Sequence, residues 1–367
     1  MSAPRFSSTL FFYLCRRYFL TIILTSLLLI SFIYLLDVIE LMRRLSKNTE
    51  VGNHVAFIMA FYKLPAMALQ IAPFVMLLGT LISFTRLTRD RELVAVRGAG
   101  LPARRFLVPA LWVCLGIGLV NIAVMNPLAA TTKKKYEQLE ALYFPNSTHG
   151  LVTKGGQIWL RQPEKTHELF LFAQRVLNGG KRLENVTLFT FSHSGQFLER
   201  SDAKLMTYHP QHWQLEHIFH LNPWQEVTWQ AEETLETQLT PEVIANSLSS
   251  PETLPLWELH TFIQRLQEAG LPTQKHELFF HRQLSMPALL IAMFLLAAPF
   301  ALRFSRTHGM GQVLLVGLVT GFGFYLFKEV ITAYGLSGRL PAAVAAWAPT
   351  LVAGLVGIAL FLHFREE

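Results

Sequence analysis

The sequence predicts an α-helical membrane protein with six transmembrane helices and an inserted antiparallel β-jelly-roll domain. Hydrophobic residues make up 51% of the 367 residues, and the mean hydropathy is +0.34, which is too apolar for an ordinary soluble chain. The apolar residues form two blocks, with runs long enough to cross a hydrocarbon core about 30 Å thick. The residues between the blocks have a soluble composition. We therefore expect helices one to three in 1–130, the β-domain in 131–275 and helices four to six in 276–367.

The apolar runs predict where the six spans lie. Each span needs roughly 20 helical residues, and the runs place the spans at 18–36, 55–84, 106–125, 284–301, 312–334 and 341–363. The second window is too long for one plain span, because its residues would cover about 45 Å at 1.5 Å each. Pro65 and Pro73 lie in this window, and they predict either a kink or an interfacial lead-in before the span.

Arginine and lysine in the short loops predict the orientation of the spans. Basic residues are concentrated in the amino-terminal segment, between spans two and three, and after span four. The opposite loops carry fewer of them, namely Arg43, Arg44, Lys47 and Arg339. This excess predicts that both termini are cytoplasmic and that the β-domain lies on the other side of the membrane.

Short β-rich stretches separated by turn residues predict the fold of the middle region. They occur at 157–161, 169–176, 186–192, 196–199 and 204–208. Short strands at regular spacing are typical of an antiparallel sandwich or jelly roll rather than of βαβ units. Near the end of the region, Leu256, Leu259, Phe262 and Leu266 recur at helical spacing, which predicts one amphipathic helix leading into span four.

The charge and the missing motifs exclude several classes of protein. The net charge of +7 suits nucleic acid or anionic lipid equally, but the arginines lie beside apolar runs, which favours the membrane. No phosphate-binding loop occurs, because Gly179-Gly180-Lys181-Arg182 lacks its spacing and its hydroxyl. No nucleophile-elbow or kinase-like motif is present either. The sequence therefore predicts that the chain is not an enzyme and cannot hydrolyse ATP alone.

The histidines of the middle region do not predict a metal site. His209, His212, His217 and His220 are interleaved with apolar residues, as in a strand, and no cysteine or HExxH motif accompanies them. We therefore expect strand histidines and no bound metal.

Three stretches, together with the topology, resemble one family. They are the run from Arg91-Glu92 to Gly100 after span two, Asn126-Pro127 with 133–136 at the exit of span three, and 150–159 at the start of the β-domain. Combined with three spans, a β-domain and three further spans, they resemble the LptF/LptG permease family of lipopolysaccharide export. The match is better to the LptG branch than to the LptF branch. The resemblance covers nearly the whole chain, and the topology carries more weight than any single motif.

The resemblance implies one membrane half of an ABC transporter in the bacterial inner membrane, with the β-domain in the periplasm. Such a permease pairs with a second, LptF-like permease, with two copies of a cytoplasmic LptB-like ATPase and with a bitopic LptC-like β-jelly-roll protein. The assembly extracts lipopolysaccharide and passes it to a periplasmic bridge. By this resemblance the chain itself binds no cofactor, since ATP and Mg²⁺ belong to the ATPase.

The basic segment 86–105 between spans two and three is the candidate contact with the ATPase. By resemblance, Glu92 is the contact residue, with Arg89 and Arg91 beside it. Gly98 and Gly100 permit the turn that ends a short helix there. The alternative is an ordinary basic loop that only sets topology.

Two basic clusters on the outer side are candidates for contact with lipopolysaccharide. They are Arg43, Arg44 and Lys47 after span one, and Lys133, Lys134 and Lys135 after span three. Clustered cations attract lipid phosphates with about 1 kcal/mol per charge. The alternative is simple headgroup anchoring. Where the family can place a lysine inside span one, this chain has Tyr34.

Ionisable residues near the ends of spans one and five are candidate gate residues. Asp37 and Glu40 close span one, and Lys328 and Glu329 lie late in span five. Charges near hydrocarbon are costly unless paired, which makes them functional candidates. The resemblance implies a lateral gate between spans one and five, with Lys328 pairing with an acidic group or a lipid phosphate. The alternative is that Lys328 extends to the interface.

Other functions remain open from the residues alone. A membrane-anchored assembly or sensor protein would use the β-domain to bind an envelope partner and would bind no ATPase. A membrane enzyme acting on lipid would need a cluster of ionisable groups at the interface, which the sequence lacks. Within the family, an LptF-like identity is the alternative to an LptG-like one.

Overall fold

A computed structural model describes most of the chain. The described residues are 8–46, 54–90, 103–143, 158–163, 167–177, 180–192, 196–209, 212–222, 224, 227–235, 241, 250–268, 273–307 and 309–363. They form two compact units, a helical one from 1–133 with 277–367 and a β-containing one from 134–276.

Long apolar helices build the helical unit. In chain order the α-helices among the described residues are α1 (Ser8–Leu45), α2 (His54–Arg89), α3 (Ala103–Val120), α4 (Asn126–Tyr143), α5 (Leu256–Glu268), α6 (Gln274–Thr307), α7 (Met310–Leu336) and α8 (Ala342–His363). Six of the described helical stretches are long and apolar enough to cross a membrane, and the third of them, Leu107–Glu140, includes most of α3 and most of α4. The six predicted spans are thereby confirmed.

Two spans differ in detail from the expectation. The second is one continuous helix of 36 residues with Pro65 and Pro73 inside it. The third does not end at Met125, because a π-helical turn (Asn121–Met125) joins α3 directly to α4. Lys133, Lys134 and Lys135 therefore lie within a helix rather than in a loop. The residues around them are mostly good helix formers such as lysine, glutamate, leucine and alanine, which favour this extension.

Small residues let the membrane helices approach one another closely. A Cβ atom built on Gly118 of α3 would lie 2.7 Å from Cα of Pro287 in α6, and one on Gly357 of α8 would lie 2.7 Å from the backbone of Leu295 and Leu296. Apolar helices gain little from hydrophobic burial in lipid, so such close packing supplies much of their association energy.

The six spans are covered to very different extents. In the most apolar stretches of α6 and α2, 67% and 56% of the residues are buried. In those of α1 and α7, only 17% and 11% of the residues are buried. α2 and α6 thus form the centre of the helical unit, and α1 and α7 present most of their apolar side chains outward.

The β-containing unit holds one six-stranded antiparallel sheet in the simple order β1 to β6. The strands are β1 (Ile158–Pro163), β2 (His167–Leu177), β3 (Arg182–Ser192), β4 (Phe197–His209), β5 (His212–Leu221) and β6 (Val227–Leu235). The predicted antiparallel domain is confirmed. The sequence did not predict β6, because its residues are mostly polar and exposed and show little alternation.

One row of residues crosses the sheet and reverses which side chains face inward. The row consists of Gln174, Asn185, Lys204, His217 and Ala231. The pairs between neighbours in this row are absent from the strand registers, which continue unchanged on both sides of the row. Asn185 and His217 have left-handed backbone conformations, with φ of 50° and 56°.

The burial pattern changes at this row. On β3, Leu183 is buried before it and Val186 and Leu188 after it, so the alternation of a flat strand slips by one position. Residues from both sides of the row nevertheless pack into one hydrophobic core, which also contains the fully buried Trp213. The sheet therefore folds over on itself along the row, and α5 packs on its core through Leu266.

Candidate functional site

The predicted ATPase-contact segment lies mostly outside the described residues. Arg91, Glu92, Gly98 and Gly100 all fall in the undescribed part, and only Arg89 is described, as the exposed last residue of α2.

The structure shows how the end of α2 is held. Asp90 directly follows α2, and its carboxylate forms an ion pair with the guanidinium of Arg17 on α1. Arg17 also donates a hydrogen bond to the hydroxyl of Tyr13, at 3.1 Å. Sequence reasoning missed the pair with Asp90 because the partners are 73 positions apart, and nothing in the sequence links them.

The arginines at the end of α1 are paired within their own helix. Arg43 and Arg44 both contact the carboxylate of Glu40, at 2.8 Å and 2.9 Å. Their spacing of three and four residues places all three side chains on one face of the helix. The group therefore carries a net charge of +1 rather than +2. Lys47, the third member of the predicted cluster, lies outside the described residues.

Asp37 pairs with a residue that sequence reasoning did not single out. Nζ of Lys63 on α2 lies 2.5 Å from Oδ1 of Asp37, and the two side chains are only 28% and 10% exposed. Oδ2 of Asp37 is buried and has no hydrogen-bond partner among the described residues. Lys63 could have been found from the sequence, because it is a lone cation inside the apolar window of span two.

Tyr34 lies one turn before Asp37 and also faces α2. Its hydroxyl donates to the backbone oxygen of Phe57, at 3.4 Å. Tyr34 thus contributes a hydroxyl between α1 and α2, and the positive charge near Asp37 comes from Lys63.

The lysines of α4 are spread over different sides of that helix. Lys134 and Lys135 are exposed, Lys133 is half-buried, and the boundary between the two compact units falls between Lys133 and Lys134. Close by, the hydroxyl of the buried Tyr136 donates to the carboxylate of Glu140, at 3.3 Å.

Lys328 contacts side chains of its own helix. Its side chain is 17% exposed, and Nζ lies 3.5 Å from Oε1 of Glu329 and 5.7 Å from the centre of the Tyr325 ring. The four predicted gate residues therefore do not form one cluster here: Asp37 pairs with Lys63, Glu40 with the arginines of α1, and Lys328 with Glu329.

The outward faces of α1 and α7 are apolar over most of their length. Large side chains more than half exposed include Leu24, Leu27, Leu28 and Phe32 on α1, and Leu315, Leu318, Val319 and Phe322 on α7. These two helices offer the largest uncovered apolar surfaces near the predicted gate residues.

The histidines of the sheet have other partners. His209 and His212 stack on each other with ring centres 5.7 Å apart, and His220 lies between Glu199 and Glu233. Within the part of the chain that the structure describes, no group of three or more histidine, cysteine or acidic residues has the geometry of a metal site.

Comparison with known proteins agrees with this architecture. Residues 12–363 match the family described as lipopolysaccharide export system permease LptF/LptG. The chain is 25% identical over 292 residues to lipopolysaccharide export system permease protein LptG of Haemophilus influenzae, covering 76% of this chain and 78% of that protein. It is 23% identical over 367 residues to the protein of the same name from Escherichia coli strain K12, covering 97% of this chain and 98% of that one.

The match takes in both blocks of membrane helices and the folded sheet between them. The chain is a multi-pass inner-membrane protein, and it belongs to the LptF/LptG family of lipopolysaccharide export permeases.

Proposed function

We propose that this chain is the LptG-like membrane subunit of an ABC transporter that extracts lipopolysaccharide from the inner membrane and delivers it to a periplasmic bridge. The observation that carries the proposal is the family match over residues 12–363, which spans the helical unit and the β-domain together. The two relatives above, both named LptG, support the choice of branch. The subunit has both termini in the cytoplasm and its β-domain in the periplasm, as the distribution of arginines favours.

The proposed partners fit surfaces that the chain leaves uncovered. A second, LptF-like permease covers α1 and α7, whose apolar stretches are only 17% and 11% buried. A bitopic LptC-like protein pairs with an edge of the sheet, and β6 is an edge strand with mostly exposed residues. Two copies of an LptB-like ATPase bind the cytoplasmic side, and these hold the ATP and Mg²⁺.

The ATPase acts through the segment after α2. Glu92 contacts the ATPase, Arg89 and Arg91 flank it, and Gly98 with Gly100 ends the short helix. The ion pair between Asp90 and Arg17 supports this role, because it links the start of the segment to α1, one of the two helices proposed to face the partner permease.

The basic residues near the outer ends of α1 and α3–α4 contact lipopolysaccharide phosphates. They are Arg43, Arg44, Lys47, Lys133, Lys134 and Lys135. Each charge contributes about 1 kcal/mol, but Glu40 neutralises one of the two arginines on α1. The α1 group therefore attracts phosphate less strongly than two independent arginines would.

The lateral gate lies along α1 and α7, with Asp37 and Glu40 on one side and Lys328 and Glu329 on the other. In the structure Asp37 pairs with Lys63, Glu40 pairs with the two arginines at the end of α1, and Lys328 pairs with Glu329, so each charge is partly neutralised beside the hydrocarbon. A lipid phosphate entering the gate would compete with Glu329 for Lys328.

Purification of the full chain with its associated proteins tests the proposal. We expect an ATPase to co-purify with the wild-type chain and to be lost from the Glu92→Arg variant. The matched control is Glu258→Arg, which makes the same charge change at an exposed position of α5 and should retain the ATPase. An expressed and folded wild-type chain that binds no ATPase would contradict the proposal and favour an envelope assembly or sensor protein.

A further inference from the structure

Three ionisable side chains meet on the inner face of the folded sheet. Nδ1 of His220 on β5 lies 2.6 Å from Oε1 of Glu199 on β4, and its Nε2 lies 3.4 Å from Oε2 of Glu233 on β6. The hydroxyl of Ser201 lies 3.0 Å from the same Nδ1. Only an imidazolium, with a proton on each nitrogen, can donate to both carboxylates. The imidazole lies within reach of one carboxylate at each of its two nitrogens.

These residues face the interior of the fold. Ser201 lies opposite His220 in the register of β4 and β5, and it is 7% exposed. The side chain of His220 is itself only 13% exposed. Glu199 lies two positions before Ser201 on β4, so it projects from the same face.

The contact between His220 and Glu233 joins the two halves of the sheet. In the register of β5 and β6, His220 lies opposite Thr228, five positions before Glu233. Five residues extend about 16 Å along a flat strand, which is too far for these two side chains to meet. The fold at the row that contains Ala231 brings them together. The contact thus depends on the sheet being closed at this edge.

Apolar side chains lie under this contact. Leu215, opposite Glu233, and Ile218, opposite Gln230, are 1% and 0% exposed. Gln230 faces the same side as Ile218 but is itself exposed, because β6 is the edge strand. The apolar interior therefore approaches solvent beside β6, next to the contact between His220 and Glu233.

We propose that Glu199, His220 and Glu233 form an ionic clasp that holds the β4–β6 side of the folded sheet closed, and that lipid acyl chains enter the interior there when the clasp opens. This inference rests on the proposed function, which supplies lipopolysaccharide as the lipid. An acyl chain offers no hydrogen bond to replace those of the clasp, so its passage requires His220 and Glu233 to separate. Glu199 and Glu233 are 37% and 41% exposed, so water can solvate them once separated and opening is reversible.

Hydrogen exchange tests whether the clasp holds the edge strand. We expect Glu233→Lys, which places a cation beside His220, to raise amide exchange in β6 about fivefold, and Glu233→Gln and His220→Gln to raise it less. The control is Glu232→Lys, one position away on the other face, where the carboxylate accepts a hydrogen bond from Gln214 at 3.0 Å. It should leave exchange near that of the wild-type chain. Equal exchange in the Glu233 and Glu232 variants would overturn the clasp.

Photo-crosslinking tests whether the clasp limits lipid entry. A photoreactive residue at position 230 is placed in the full chain, assembled with its partners in vesicles that contain lipopolysaccharide. We expect more lipopolysaccharide adduct with Glu233→Gln or His220→Gln than with Glu232→Gln or the unmodified clasp. Faster exchange of β6 without a change in adduct would overturn the role in lipid entry. Absence of adduct from every variant, including the intact clasp, would count against the lipid function itself and would remove the gating role with it.

Discussion

Asp37 and Lys63 illustrate how single charges are held between membrane helices. Each would be costly alone beside hydrocarbon, but together they form one short ion pair between α1 and α2. Asp37 is the more deeply buried partner, and its second oxygen has no hydrogen bond in the part of the chain that the structure describes. Removal of Lys63 would therefore leave an uncompensated buried carboxylate, whereas removal of both charges would not.

We predict that Lys63→Met destabilises the chain by about 2 kcal/mol, below the usual range for fully buried pairs because Lys63 is partly exposed. The double variant Lys63→Met, Asp37→Leu should recover most of the loss. Thermal unfolding in detergent measures both. Arg43→Met serves as a control, because Arg43 is 75% exposed and solvent screens its pair with Glu40, so its loss should change stability much less. Additive effects of the two substitutions at positions 37 and 63 would show that the pair contributes nothing.

At the scale of the helices, close approach depends on particular glycines rather than on glycine in general. Gly116 and Gly118 lie two positions apart on α3, yet a Cβ on Gly118 would collide with Pro287 whereas one on Gly116 would meet nothing within 4 Å. The contact with Pro287 is with backbone and ring atoms, which cannot rotate away. α3 and α6 must therefore separate if position 118 becomes larger.

We expect Gly118→Val to destabilise the helical unit by about 2 kcal/mol, in the range of overpacked cores, and Gly116→Val to have a much smaller effect. Both introduce the same side chain in the same helix, so helix propensity cancels in the comparison. The midpoint of thermal unfolding in detergent distinguishes them. Equal midpoints would mean that α3 and α6 are not in the close contact described here.

The fold of the sheet depends on a different local feature, the left-handed residues in the transverse row. Asn185 has a φ of 50° and donates from its amide to the side chain of Gln174, at 2.7 Å. Asparagine tolerates this backbone conformation better than β-branched residues do.

We predict that Asn185→Val costs about 1–2 kcal/mol and that Asn185→Gly costs much less, because glycine adopts positive φ freely. Hydrogen exchange of the amides in β3 measures the effect locally. Thr187→Val, two positions further along β3, is the control for the new side chain, although it also removes a hydroxyl that donates to Asp202 at 2.6 Å. Asn185→Gly as damaging as Asn185→Val would argue that the amide, and not the backbone conformation, holds the row.

The whole molecule combines a packed helical centre with two exposed helices. α2 and α6 provide the buried centre, and α1 and α7 expose apolar side chains that lipid or a partner chain must cover. Exposed leucines also occur on α8, for example Leu355, which is 66% exposed. Exposure alone therefore does not separate a partner surface from a lipid-facing one.

We predict that single cysteines at Leu28 on α1 and Phe322 on α7 form crosslinks to the second permease, whereas a cysteine at Leu355 on α8 does not. The three side chains are 68%, 58% and 66% exposed, so they are matched in accessibility. The background chain should carry Cys15→Ala and Cys114→Ala. Analysis of crosslinked bands in membranes gives the result, and crosslinks from position 355 equal to those from position 28 would contradict the proposed arrangement.

The predictable part of this protein lies in long, strongly patterned segments. The spans were found because about 20 apolar residues leave few alternatives to a membrane helix, and the helix around Leu259 and Leu266 was found from its periodicity. β6 was not predicted because its residues are mostly exposed, so its sequence lacks the alternation of apolar and polar residues that indicates a strand. Lys63 of α2 was not singled out as the partner of Asp37, since pairing between helices follows their packing and not their order.

The sequence by itself determined the two hydrophobic blocks, the antiparallel domain between them and the types of residue available for each role, because solvation acts on each segment separately. The tertiary structure decided which charges meet, where the sheet folds and which helices remain uncovered. Those features depend on atoms that are distant along the chain, such as Arg17 with Asp90 and His220 with Glu233. Contacts of this kind form only after the helices pack and the strands pair. No local pattern in the sequence can therefore predict them.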